Sequence, residues 1–429
     1  LVLVYAFSFA QAMPPVQRSV LPNGLVLLSA EEHSLPFVTV QVLVHAGARL
    51  DPPGQGGLAS MTARALLFGT EKRGLDVINE QLDFMGASLS ADAGRDYAVI
   101  SLRVLTKDFS KGFALLMEVL EKPLFPDSEI EKEVTRTLAA IRAQEDDPAQ
   151  VAEREFIKAL YGNGPYAQPV MGTTESVKRL NAVSVKRFHR DFYGPRNTIF
   201  VIVGNFDPVL LAQRIAPQLA TWRGGETVSP PVDVRYERRS KRVTVDRALT
   251  QSNIIRGHEG ITRDNPDYYA VTVMNYILGG GGLTTRLMEQ IRDKRGLAYS
   301  VFSHFAAGKY EGSFRVVLQT KNASAREAVK LVTAGMERIR EKPVSDAELQ
   351  SAKKYLIGSF PLRLTTQGAI ASYLMQVEHM KLGHDYAERY PKIMRDITVE
   401  DVQRAARAYL HPDRLIVVVV GNLKEAGFD

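Results

Sequence analysis

Residues 181–205 read NAVSVKRFHRDFYGPRNTIFVIVGN, and residues 398–422 read TVEDVQRAARAYLHPDRLIVVVVGN. One constant offset pairs Asn181 with Thr398, Phe192 with Tyr409, Pro195 with Pro412 and Gly204 with Gly421. Each copy predicts a helix N-cap, an amphipathic helix, a proline turn and an apolar run ending in Gly-Asn. The valines from Val417 to Val420 read as a strand buried on both faces. A match this long without a gap points to two homologous halves.

The rest of the chain fits that division. At 429 residues it exceeds what one ordinary core accommodates. The stretch GGETVSPPVDVRYERRS, with two Gly, two Pro and little apolar periodicity, marks a join. The expected layout is one domain over 15–222, a linker over 223–240 and a second domain over 241–429. Alternating segments such as Val38 to His45 and Tyr97 to Val104 read as strands. They do not follow the strict strand–helix alternation of a doubly wound fold. The expected class is therefore α+β, each half a mostly antiparallel sheet covered by helices.

Composition excludes several kinds of function. Hydrophobic and charged contents of 45% and 24% are those of a globular protein. The net charge of +6 comes from 54 basic and 48 acidic residues that are well mixed, with no basic tract interleaved with aromatics, so nucleic acid is not an expected partner. The absence of Cys removes disulfides, thiol catalysis and Cys-bound metals. Residues 1–12, LVLVYAFSFAQA, resemble the end of a secretory signal, an apolar run closed by an A-x-A site. They are too short to span a membrane. A periplasmic or secreted location is expected from them.

Residues 57–70, GLASMTARALLFGT, frame a site whose chemistry is missing. The stretch resembles the metal-binding helix of the pitrilysin and mitochondrial processing peptidase family of zinc peptidases, roughly GLAHFLEHMLFKGT. That inverted motif, H-x-x-E-H, sets two His ligands on one helical face with a general-base Glu between them. The three positions here are Ser60, Ala63 and Arg64. None offers a zinc ligand at neutral pH, and Arg64 carries a fixed positive charge. The family's last ligand, a Glu from a later helix, falls at Ala140 in the stretch that opens at Glu133. No metal is expected in this chain. The same resemblance implies a subunit made of two similar α+β halves.

A second signature is retained. From Gly279 the chain reads GGGGLTTRLMEQIRDKRGLAYSVFSHF, in which Arg292 and Tyr299 match the family's Arg and Tyr. There the two side chains reach across a closed chamber and hydrogen-bond the substrate carbonyl. A guanidinium and a phenol are fixed donors suited to a developing oxyanion. Gly296 is expected to stop the helix, so that Tyr299 opens the next strand facing back towards Arg292. A chain without zinc but with this pair resembles the non-catalytic member of heterodimeric peptidases. The resemblance implies a homologous partner with an intact H-x-x-E-H and its own zinc, and peptides or unfolded polypeptide as substrate. The alternatives are a homodimer that binds peptides without cutting them and a structural core-type subunit.

Other features carry less. The Gly279–Gly282 run lacks the G-K-[ST] ending of a phosphate loop, and reads as a flexible turn feeding the Arg292 helix. No His forms an i,i+4 pair, and His379 and His384 point apart on a helix. Ser60 has no base beside it to make it a nucleophile. The segment from Gly86, GASLSADAGRDYAVISLRV, resembles the family's edge strand, on which substrate adds as an extra strand; an ordinary sheet strand is the plainer reading. AQEDDPAQ, from Ala143 to Gln150, reads as a solvated helix end and turn.

Overall fold

The computed structural model describes residues 13–227, 229–230, 234–310 and 312–429. The segment read as a signal remnant, residues 1–12, lies outside the described residues. Among them no helix is long and apolar enough to cross a membrane.

The repeat becomes two related sheets. In the first half the strands are β1 (Val16–Val20), β2 (Val26–Glu31), β3 (Phe37–Val44), β4 (Ser88–Ala93), β5 (Ala98–Leu105) and β6 (Thr198–Gly204), laid out β1-β2-β6-β3-β5-β4. In the second they are β7 (Lys241–Asp246), β8 (Gln251–Glu259), β9 (Ala298–Phe305), β10 (Ser313–Lys321) and β11 (Ile416–Gly421), laid out β7-β11-β8-β10-β9. Without the extra hairpin strand β1, the two orders are the same. Pairing is antiparallel apart from one parallel pair in each sheet, β2 with β6 and β7 with β11. The fold is thus the expected α+β type, with mixed sheets covered by helices.

The repeated segment supplies the same part to each sheet. Asn181 caps the Ala182–Phe192 helix by accepting from the Ser184 amide, and Thr398 caps Val399–Tyr409 by accepting from the Asp401 amide. Each helix then feeds an inner strand, β6 or β11, whose residues are almost all buried. Burial on both faces needs cover on both, and the chain provides it by exchange. The Pro148–Tyr161 helix, numbered with the first half, lies on β8 and β11 of the second. The Gln367–His379 helix of the second half lies on β3 and β6 of the first.

The exchanged helices are fitted closely. The fully buried Phe156 ring sits against Gly257 of β8, where an added Cβ would come within 2.7 Å of it. Gln41 of β3 donates to Ser372 Oγ at 2.9 Å, and Arg18 of β1 makes a two-pronged contact with Glu378 at 3.0 and 2.9 Å. Neither helix could be assigned to the opposite sheet from sequence, because an amphipathic stripe does not say which apolar face it meets.

Between Thr221 and Lys241 the described residues form no helix or strand, yet the segment is held at several points. Asn197 Nδ2 donates to the Thr227 carbonyl at 2.7 Å, Arg49 Nη1 to the Pro230 carbonyl at 2.7 Å, and the Glu237 amide to Leu160 O at 2.8 Å. These bonds strap the join onto the body of the protein.

Candidate functional site: an arginine in place of a metal

The Leu58–Ala65 helix is fixed at its start by Asp51, whose carboxylate accepts from the Gly57 and Ala59 amides at 2.7 and 2.8 Å. Gly57 adopts φ +95°, and a Cβ there would meet the Met171 carbonyl at 2.6 Å, so only glycine fits this entry. Ser60, Ala63 and Arg64 lie on one helix, and the first two are buried. Facing them is the Asp127–Asp146 helix, on which Glu133, Thr137 and Ala140 follow one another along a single face.

Arg64 extends into the space between these helices. Its Nη1 donates to Ser60 Oγ at 3.0 Å and its Nη2 to Thr137 Oγ1 at 3.2 Å. Its Nε lies 2.8 Å from Glu133 Oε1, an ion pair off the direction of the N–H. A second carboxylate, Asp92 of β4, stands 3.9 Å from Nη1. The residues do not fit zinc. A guanidinium has no lone pair to offer and stays protonated, while Ser60 and Ala140 supply neither imidazole nor carboxylate. Buried Ala63 leaves no general base. No set of three or more metal-ligating side chains is found among the described residues. Instead Arg64 joins the helices as a monovalent cation, with Glu133 as counter-ion. Glu133 lay within the segment read from sequence, but its pairing with a residue on another helix left no local signal.

The other predicted residues come together. Gly296, at φ +62°, ends the π-turn of Glu289–Asp293 that carries Arg292, and β9 opens two residues later. The Arg292 guanidinium carbon lies 5.5 Å from the centre of the Tyr299 ring, and the guanidinium forms no hydrogen bond or ion pair among the described residues. β9 is an edge strand with a bulge: Val301 pairs with Leu318 and Ala298 with Thr320, so Tyr299 and Ser300 both stand opposite Gln319. Alternation from buried Val301 would turn Tyr299 inward. The extra residue reverses this, and Tyr299 is 87% exposed.

The glycine run is not the loose turn expected. Gly279 and Gly280 close a π-turn over Tyr276–Gly280, and a Cβ on Gly279 would lie 2.7 Å from Ser303 Oγ of β9. Ser303 in turn donates to Asn275 Oδ1 at 2.7 Å. Close packing against the strand, rather than mobility, calls for glycine here. The Gly86 segment yields β4, the free edge of the first sheet beside Arg64. In AQEDDPAQ, Asp147 caps the Pro148–Tyr161 helix through the Ala149 and Gln150 amides.

A histidine contact escaped the sequence reading. His45, just after β3, and His379, ending the Gln367–His379 helix, meet across the halves at 3.1 Å. His45 Nδ1 faces the Asn197 carbonyl at 2.9 Å, which only a proton on that nitrogen can satisfy. His45 Nε2 is then an acceptor for the N–H of His379 Nδ1. Burial pulls His45 down to about 4 and, with the neighbouring His45, Lys309 and Arg49, pulls His379 down to about 3. The residues are far apart in sequence and showed no spacing.

Comparison with known proteins agrees with this architecture. Residues 26–174 match the insulinase family (peptidase family M16), and residues 179–356 match the peptidase M16 inactive domain. The chain belongs to the M16 peptidase family, the pitrilysin and processing-peptidase group. A peptidase M16 inactive domain from Pseudomonas fluorescens superposes with a TM-score of 0.89 at 29% identity, covering 95% of this chain and 98% of that one. An uncharacterized zinc protease of Streptomyces coelicolor is 28% identical over 96% of this chain and 90% of its own. The non-peptidase homolog YmxG of Helicobacter pylori is 26% identical over 99% of this chain and 98% of its own.

Proposed function

We propose that this chain is the zinc-free subunit of a two-chain M16 peptidase. Arg292 and Tyr299 bind the substrate carbonyl and its oxyanion in an active site whose zinc and general base belong to a homologous partner. The observation that carries this is the bulge in β9. It turns a phenol fully outward beside a guanidinium with no partner of its own, while the chain's own metal position is filled by Arg64. The matched inactive-type domain and the non-peptidase relative support the absence of hydrolysis by the chain alone. The signal-like residues 1–12 support a location outside the cytoplasm for the pair.

The test is reconstitution with a zinc-bearing M16 chain from the same source and hydrolysis of a quenched peptide. Tyr299→Phe and Arg292→Ala are each expected to lower kcat about 100-fold, the loss typical of one oxyanion donor, with complex mass unchanged. Turnover untouched by both substitutions refutes the role. A zinc-free homodimer that binds peptide without cleaving it would move the function to peptide capture.

A further inference from the structure

The two elements that frame the Arg64 site continue past it to frame a pocket. β4 carries Asp92 beside Arg64 and ends at Ala93; the turn that follows carries Arg95. On the Asp127–Asp146 helix, Gln144 lies one turn beyond Ala140 on the same side. Between them, against the Pro148–Tyr161 helix, lies a pocket of about 320 Å³. Arg95, Gln144 and Gln150 supply its polar wall, and Ile157, Val170 and Met171 an apolar one.

Arg95 has no carboxylate of its own. Its guanidinium carbon lies 5.3 Å from the centre of the Tyr166 ring and 5.7 Å from that of Tyr161. Its Nε is buried and makes no hydrogen bond. It forms no ion pair among the described residues. The adjacent Asp96 is engaged elsewhere, accepting from the Tyr166 hydroxyl and standing 3.7 Å from Arg49 Nε. The other charges of the pocket are balanced. Glu153 is bonded to Arg315, and Arg154 stands 3.5 Å from Glu155 and 3.8 Å from Glu145. One uncompensated cation therefore lines the pocket, held by two rings and sharing the lining with amides, aliphatic carbon and the paired Glu153 and Arg154.

We infer that this pocket binds a peptide carboxylate, with Arg95 as its charge partner and Ile157, Val170 and Met171 receiving the adjoining apolar side chain. A planar guanidinium with unused N–H groups matches a carboxylate in shape and charge. A peptide added to the free edge of β4 runs directly from the Arg64 site to Arg95, so the pocket sets how far along the strand the peptide ends or places an acidic residue. The assignment rests on the chain being a peptide-handling M16 member, but not on the roles of Arg292 and Tyr299.

The experiment uses the full chain alone and fluorescence anisotropy of labelled nonapeptides of one sequence ending in leucine. One has a free C-terminus, one is amidated, and one is amidated with a glutamate near its end. The free acid, the glutamate peptide or both are expected to bind at least 10-fold more tightly than the plain amide; which of them does identifies the carboxylate recognised. Arg95→Gln should abolish that difference and Arg95→Lys keep part of it. Equal binding of all three peptides, no binding of any, or discrimination that survives Arg95→Gln overturns the assignment. The assay needs no zinc partner, so its failure is separate from that of the two-chain peptidase.

Discussion

At the scale of single residues, Arg64 exchanges one kind of cross-link for another. Where a metal would tie two helices together through several ligands, one guanidinium does so through Glu133, Thr137 and Ser60. Truncating it leaves Glu133, which is 8% exposed, with only Arg136, 3.5 Å away and one turn along its own helix, as a cationic partner. Arg64→Ala is expected to cost about 1–3 kcal/mol, below the range for a fully buried pair because the Arg64 side chain is part exposed. Urea unfolding of the single and double variants with Glu133→Ala should show a coupling energy of about 1–2 kcal/mol. Additive losses would mean that the pair does not act as the link. Much of this was legible beforehand. Ser60, Ala63, Arg64 and Ala140 stood out as mismatches within a matching frame. What Arg64 does instead could be seen only once Glu133 and Thr137 faced it.

At the scale of elements, small departures from regularity decide what faces outward. The bulge in β9 is one residue, and apolar alternation gave no sign of it, because Tyr299 and Ser300 read equally well on either face of a strand. Deleting Ser300 removes the bulge and leaves Tyr299 alone opposite exposed Gln319, so that the phenol still faces outward between buried Ala298 and Val301. In the reconstituted complex this deletion should therefore cost less turnover than Tyr299→Phe does; an equal loss would show that the extra residue itself, and not only the outward face, presents the phenol. The junction between β3 and the Gln367–His379 helix makes a different expectation, for pH. His45 and His379 are held neutral when folded, near 4 and 3, whereas an unfolded His titrates near 6.5. In that interval the unfolded chain binds more protons, so stability falls as the pH is lowered. Between pH 7.5 and 5 the loss should reach about 2 kcal/mol per ring. It should shrink in a His45→Asn, His379→Gln variant, measured by urea midpoints at both values. An equal loss in both proteins would clear the pair of that role. No spacing rule could reveal a contact made by two elements from opposite halves.

For the whole molecule, the repeat made two related halves legible, and with them the sheet class. It concealed that each half borrows a helix. The apolar faces of Ile255, Ile416, Val418 and Val420 are covered by residues numbered before 162, and those of Val201 and Val203 by residues numbered after 366. Neither half is then a complete folding unit, and a single cooperative transition is expected by calorimetry and by tryptophan fluorescence from Trp222. A fragment covering 241–429 should expose the vacated face, bind a hydrophobic dye and fail to unfold cooperatively. A fragment that melts sharply as a monomer would contradict the exchange as a source of cooperativity.

The same exchange sets a timetable for synthesis. β6 leaves the ribosome with residue 204, but the helix that covers its second face begins at residue 367. At roughly 5–20 residues per second the first sheet waits on the order of ten seconds or more with that face open. The Pro148–Tyr161 helix waits longer still, since β11 ends only at Gly421. Nascent chains of this protein are thus natural clients for holding chaperones until β11 has emerged. A chain released early has no partial fold to fall back on, so quality control need only sense a bare sheet to recognise every truncated product.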